Sequence, residues 1–229
     1  EEHRGDRDVV LKALKEDGRA LQFASREIVL EKVSQNVYAL RFAPKDIVLE
    51  KVKQNPSALQ YASRKIILEE VQENSRLLQF ASREIVLEKV QQNGLALQYA
   101  SVELKGDGEV VLEAVKQDVY ALQYASPALK GDRDFMLEAV TQNPWALEYA
   151  SVELQDDKNV VSDAVKQNGY ALQFASEELQ DDRDVVSEAV KQNGQALRYA
   201  SLELRDDRGV VSEAVMQNVY ALLYASAKL

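Results

Sequence analysis

Apolar residues along this chain recur in pairs set four positions apart. In "DVVSEAVKQN", residues 184–193, Val185, Val186, Ala189 and Val190 fall at i, i+1, i+4 and i+5, which gathers them on one face of a short helix. A second apolar cluster follows in "NGQALRYAS", where Ala196, Leu197, Tyr199 and Ala200 group in the same manner and predict a second short helix. The two-cluster unit is written ten times. Its aromatic falls at Phe23, Phe42, Tyr61, Phe80, Tyr99, Tyr124, Tyr149, Phe174, Tyr199 and Tyr224, so the period is 19 residues up to Tyr99 and 25 thereafter.

Polar residues punctuate the pattern. An Asn or Asp separates the two clusters in every copy: Asp17, Asn36, Asn55, Asn74, Asn93, Asp118, Asn143, Asn168, Asn193 and Asn218. A short oxygen-bearing side chain there accepts from the free amides that open the second helix. Pro56 and Pro144 follow two of these residues, at the first helical position, where proline is tolerated. Ser25, Ser63 and Ser82 precede the first helix of short copies and are expected to cap it. In the long copies six residues follow "YAS", as in "VELKGD" and "EELQDD", and predict one extra turn ending in an acidic corner that caps the next helix.

Helices this short do not persist alone in water, so they must shield one another by stacking. The expected fold is all-α: an α-solenoid of ten tandem two-helix repeats. Residues 1–100 carry the 19-residue period and residues 101–229 the 25-residue period, continuous as one solenoid.

Composition narrows the picture. Hydrophobic residues make up 46% and charged residues 29% of 229 positions, an ordered balance. No apolar run reaches the roughly 18 residues of a membrane span, so membrane insertion is not expected. The absence of cysteine excludes disulfides and thiolate chemistry. A soluble, intracellular protein is the favoured expectation. The chain opens on Glu with no signal-peptide pattern ahead of the first repeat, which suggests processing or a missing leader. Of the net charge of −10, residues 1–100 carry +1 and the remainder −11, which argues against a phosphate-backbone binder in the second half.

The string "D-x-x-V-V-x-x-A-V-x-Q-N-G-x-A-L-x-Y-A-S-x-E-L" resembles a tandem-repeat family known as a domain of unknown function, number four-one-one-six. The likeness spans nearly the whole chain and is closest over 101–229; the short copies depart from it by lacking the insert. The resemblance implies repeating two-helix units of about 25 residues. It implies no assigned activity, and no catalytic residue can be carried over.

The residues themselves offer little chemistry. The only histidine is His3, near a chain end, and the recurring serines have no His or Lys partner at a useful spacing. No enzyme activity and no cofactor are expected. The refrain aromatics interchange Tyr and Phe, which points to core packing rather than reactivity. Asp156, Asp157, Asp181, Asp182, Asp184, Asp206 and Asp207 form acidic corners that could offer oxygens to calcium. Lys158, Arg183 and Arg208 interrupt them, and helix capping is the favoured role; no metal site is assigned.

The position two after the cap changes most: Arg19, Tyr38, Ser57, Arg76, Leu95, Tyr120, Trp145, Tyr170, Gln195 and Tyr220. Aromatic residues of this kind anchor protein interfaces. Tyr38, Leu95, Tyr120, Trp145, Tyr170 and Tyr220 are therefore the candidate partner-binding residues. The competing reading has these side chains packing between layers and finishing the core. A glutamine ladder (Gln35, Gln54, Gln92, Gln117, Gln142, Gln167, Gln192, Gln217) precedes the caps and is expected to bond along the array. Leu222, Leu223 and Tyr224 are expected to be partly uncovered, so that further repeats or another subunit would cover an end. The leading function is a non-enzymatic scaffold or adaptor for protein partners, a subunit or linker of a larger assembly. The alternatives are a sequence-tolerant nucleic-acid-binding array, kept open by Lys51, Lys53, Arg64 and Lys65, and a calcium-modulated acidic repeat protein.

Overall fold

A computed structural model describes residues 7–226; His3 lies outside them. Helices account for the regular structure, with no strand among the described residues, and the repeats form an α-solenoid. The chain divides into two compact units, one of residues 1–88 with 99–101, the other of residues 89–98 with 102–229. No helix among the described residues is long and apolar enough to cross a membrane.

Each repeat is a ten-residue α-helix, one capping residue and a six-residue helix. In the first unit Arg26–Gln35 is followed by Val37–Phe42, and in the second Arg183–Gln192 is followed by Gly194–Tyr199. The shorter member, legible in the sequence only as a second short helix, is a 3-10 helix. Its ladder closes i→i+3, a geometry that proteins use in short pieces of this kind. Ala196 N–H donates to the carbonyl of the cap, Asn193, at 2.8 Å, and Ala200 N–H donates to Leu197 at 3.1 Å.

The core is aliphatic. Val185, Val186, Ala189 and Val190 are buried, as are their counterparts Val160, Val161, Ala164 and Val165. The "AL" leucines, from Leu21 through Leu197, are among the largest fully buried side chains. Leu222 is 56% exposed where Leu122, Leu147, Leu172 and Leu197 are 0% exposed, and Leu223 is also exposed.

The six-residue inserts of the second unit add a third column. Each forms a single turn, as in Pro127–Lys130 and Glu177–Gln180. Ser126, Ser176 and Ser201 accept from the amides of Leu129, Leu179 and Leu204 and so cap those turns. The corner aspartate then caps the long helix: Asp107 accepts from Val110, Asp132 from Phe135, and Asp182 from Asp184 and Val185. Successive turns are linked by backbone bonds of 2.8–2.9 Å from Ser126 to Lys105, Ser151 to Lys130, Ser176 to Gln155, Ser201 to Gln180 and Ser226 to Arg205. The expectation for the short copies needs correction. Ser25 and Ser63 stand at the cap position without a side-chain capping bond, and Pro44, which has no hydroxyl, fills it in another repeat. Their ψ values near 150° aim the chain into the helix, and the cap carbonyl, not the hydroxyl, opens the bond ladder.

Ion pairs join layers, and a recurring set spans 24 residues: Arg7–Glu31, Arg26–Glu50, Lys45–Glu69 and Arg64–Glu88 in the first unit, Arg133–Asp157, Lys158–Asp182 and Arg183–Asp207 in the second. Against a 19-residue period the acceptor is the sixth residue of the next helix; against a 25-residue period it is that helix's capping aspartate. Exposed pairs of this kind add little stability.

Glycine sets how closely layers approach. Gly94, Gly169 and Gly194 open their 3-10 helices with negative φ, so no unusual backbone angle requires them. A Cβ added at Gly169 would lie 2.2 Å from the carbonyl oxygen of Ala189 in the next layer, and one at Gly194 the same distance from that of Ala214. Val119 and Pro144 fill the same place in other repeats.

Candidate partner-docking face

Three residues per turn sort the six side chains of each 3-10 helix into three columns. The first and fourth residues and the C-cap point into the stack, as with Gly194, Leu197 and Ala200, all buried. The third and sixth form a flank in which Ala196 is buried and Tyr199 half-buried. The second and fifth, such as Tyr120 and Gln123, face outward.

This arrangement explains why the second position is free to vary. In all ten copies its backbone N–H donates to the capping Asn or Asp, at 2.8–3.2 Å. The fold uses the main chain of this residue in every copy, while the use of its side chain differs from copy to copy: Arg19 and Ser57 bond back to the cap, and Tyr170 bonds to Gln195. Gln60, Gln79, Gln98, Gln123 and Gln173, at the fifth position, turn back to the carbonyl of that same residue.

The candidate docking residues fall into two groups. Tyr38, Tyr120 and Tyr220 are 68%, 58% and 64% exposed. Trp145, Tyr170 and Leu95 are more engaged. Trp145 is 37% exposed and meets the Phe174 ring edge-on at 5.5 Å. Tyr170 is half-buried, meets Tyr199 edge-on at 6.3 Å and donates its hydroxyl to Gln195 Oε1 at 2.6 Å. The Arg198 guanidinium lies 4.4 Å from the Tyr199 ring centroid and 5.3 Å from that of Tyr170. Leu95 is half-buried. Tyr38 also meets a refrain ring in the next layer, Tyr61, at 5.1 Å. Trp145, Tyr170 and Tyr38 thus do pack sideways between layers, and each still presents surface.

The refrain aromatics are not the core that their repetition suggested. Phe42, Tyr61, Tyr124, Phe174 and Tyr199 are half-buried and Phe23 is exposed. Tyr199 stands two residues after Leu197, and at three residues per turn that spacing carries it off the inward column. The rings therefore line a flank beside the variable position, which the apolar pattern alone did not reveal.

Neighbouring polar groups serve the fold. Gln167 Nε2 donates to the carbonyl of Val140 at 3.1 Å, and Gln192 Nε2 to those of Lys166 and Gln167 at 3.0 and 3.1 Å, closing helix ends of the preceding layer. In the first unit Gln35 bonds instead to Glu31 within its own helix. At the acidic corners, the Arg133 guanidinium holds Asp157 below the usual carboxylate range, aided by the amides it caps. Asp207 is lowered by its bond from the Val210 amide and by Arg183. Asp182 is lowered too: burial opposes ionisation there, and Lys158 with the capped amides outweighs it. Asp156 and Asp181 accept from the hydroxyls of Ser176 and Ser201. Among the described residues, no group of three or more His, Cys, Asp or Glu is placed to hold a metal ion.

Two open grooves lie in the first unit. The larger, of about 980 Å³, mixes Asp8, Glu16, Lys12 and Lys32 with Leu11 and Leu14. The smaller, of about 540 Å³, is lined by Tyr38, Phe42, Tyr61, Arg41 and Arg64 among others.

The sequence model of one family, described as Domain of unknown function (DUF4116), matches residues 6–47, 25–66, 45–84, 82–130, 132–180 and 182–229. Each match spans two successive repeats; those over the 19-residue copies overlap, and those over 132–180 and 182–229 fall 50 residues apart, two long periods. No curated protein and no solved structure matches the chain.

Proposed function

The chain belongs to the family of the Domain of unknown function (DUF4116), and on that premise we propose that it is a non-enzymatic helical-repeat scaffold, an adaptor that docks protein partners along the outward face of its 3-10 helices. One observation carries this reading. The second residue of every 3-10 helix gives the fold its backbone N–H, and at Tyr38, Tyr120 and Tyr220 its side chain is an exposed tyrosine. Monotonous positions build the layer, and the variable ones are left to meet a partner. Tyrosine suits that task because it brings a large ring, a hydroxyl and few rotors.

The test replaces Tyr120 and Tyr220 with Ala, which leaves the caps and the buried columns intact. Melting should stay unchanged while cross-linked capture of a partner from native extract is lost. Capture at the original level, or a fall in melting that accounts for its loss, overturns the proposal.

A further inference from the structure

The smaller groove of the first unit combines an apolar floor, aromatic walls and a cationic rim. Its floor is apolar, with Ile67 and Ile85 both buried. Its walls are the rings of Tyr38, Phe42 and Tyr61, and its rim carries the guanidiniums of Arg41 and Arg64. No carboxylate lines it, in a chain that holds 38 Asp and Glu against 28 Lys and Arg. Arg64 gives one terminal nitrogen to Glu88, so its charge is already matched. Arg41 is exposed and makes no ion pair or hydrogen bond among the described residues, which leaves its guanidinium open to a partner.

We propose that this groove docks an acidic peptide segment: an aromatic or aliphatic side chain of the segment seats among Tyr38, Phe42 and Tyr61, and a neighbouring carboxylate pairs with Arg41. The proposal rests on the reading of the 3-10 face as a docking face and names the chemistry of its partner. Three physical terms favour it. The volume of about 540 Å³ falls within the roughly 300–1,000 Å³ of clefts that seat compact ligands. The edge-on contact of Tyr38 with Tyr61 holds both rings before any partner arrives, which lowers the entropy cost of docking. A guanidinium presents parallel donors that match a carboxylate's two oxygens, and Arg41 has all of them unused. Single-stranded nucleic acid would also use rings and arginine, but it needs a charged track along its backbone, and residues 1–100 balance 16 bases with 15 acids.

Selection of a phage-displayed library of short random peptides on the full chain tests this directly. Recovered sequences should pair Asp or Glu with Phe, Trp or Leu, and binding by fluorescence anisotropy should weaken with salt. Arg41→Glu should weaken binding by about tenfold or more, and Arg41→Lys by less. Melting should not move in either variant, because Arg41 holds nothing in place. The proposal is overturned by neutral or basic winners, by no enrichment at all, or by affinity that Arg41→Glu leaves unchanged. It is overturned equally if oligouridylate binds in an Arg41-dependent way and displaces the peptides. The Tyr120→Ala, Tyr220→Ala protein is the control. It retains these peptides whether or not the second unit captures a partner, so the two proposals fail separately.

Discussion

Adding one methyl group at Gly169 or Gly194 tests how the layers are held. Neither glycine has positive φ, and valine or proline stands at the same place elsewhere, so the local backbone accepts a side chain. The obstacle is the next layer. At Gly169 the new Cβ would sit 2.2 Å from Ala189 O, 3.1 Å from Ala189 C and 3.2 Å from Asn193 N. All three are backbone atoms within or just beyond a helix end, and none can rotate away. Relief requires the two layers to part by about 1 Å, which strains a packed core by about 1–3 kcal/mol. The reduced freedom of the unfolded chain returns about 0.4–1 kcal/mol. The expected net loss is about 1–2 kcal/mol for each alanine variant, or roughly 3–8 °C in Tm for a unit of this size. At Gly194 the amide that donates to Gln217 Oε1 at 2.6 Å would be displaced as well. Gly106→Ala and Gly131→Ala supply the control, since the nearest atoms there are 3.6 Å away. Those variants should melt at or above the parent temperature. Circular dichroism with urea titration gives the comparison. If Gly169→Ala and Gly194→Ala match the controls, layer spacing is not set by glycine.

Three further outcomes are expected. Asn168→Ala removes a cap bonded to the Tyr170 amide and should cost about 0.5–2 kcal/mol in urea titration, whereas Ser63→Ala, which loses no capping bond, should stay within about 0.5 kcal/mol of the parent. Asp157 and Asp207 titrate below ordinary aspartate in the folded chain, so their contribution is complete above about pH 4 and is lost as pH falls through the lowered values; the urea midpoint should drop there, less steeply in Asp157→Asn, and a midpoint flat to the acid limit would contradict this. In hydrogen exchange the amides of Ser151, Ser176 and Ser201, bonded between successive turns, should be protected, while those of Ser25 and Ser63, which lack that partner, should exchange quickly; equal protection would refute the backbone column.

The parts of this protein legible in its sequence are those that depend on neighbours along the chain. The Val-Val-x-x-Ala-Val helices, the ten Asn or Asp caps, the proline starts and the acidic corners are local matters of spacing and side-chain reach, and their text alone determined them. The variable second position was visible as variation between copies. Tertiary structure decided the rest. Six residues with paired apolar positions read alike as α or 3-10, and only the closed i→i+3 ladder turned the refrain rings from core to flank. Gly169 reads as an ordinary residue after a cap until Ala189, twenty positions on, arrives against it. The charge of Arg41 became available because the folded layers pair Arg64 and leave Arg41 alone, beside rings of its own repeat and one, Tyr61, brought from the next. Spacing along a chain fixes which way a side chain leaves its own helix; what it meets there is set by layers that only folding brings together.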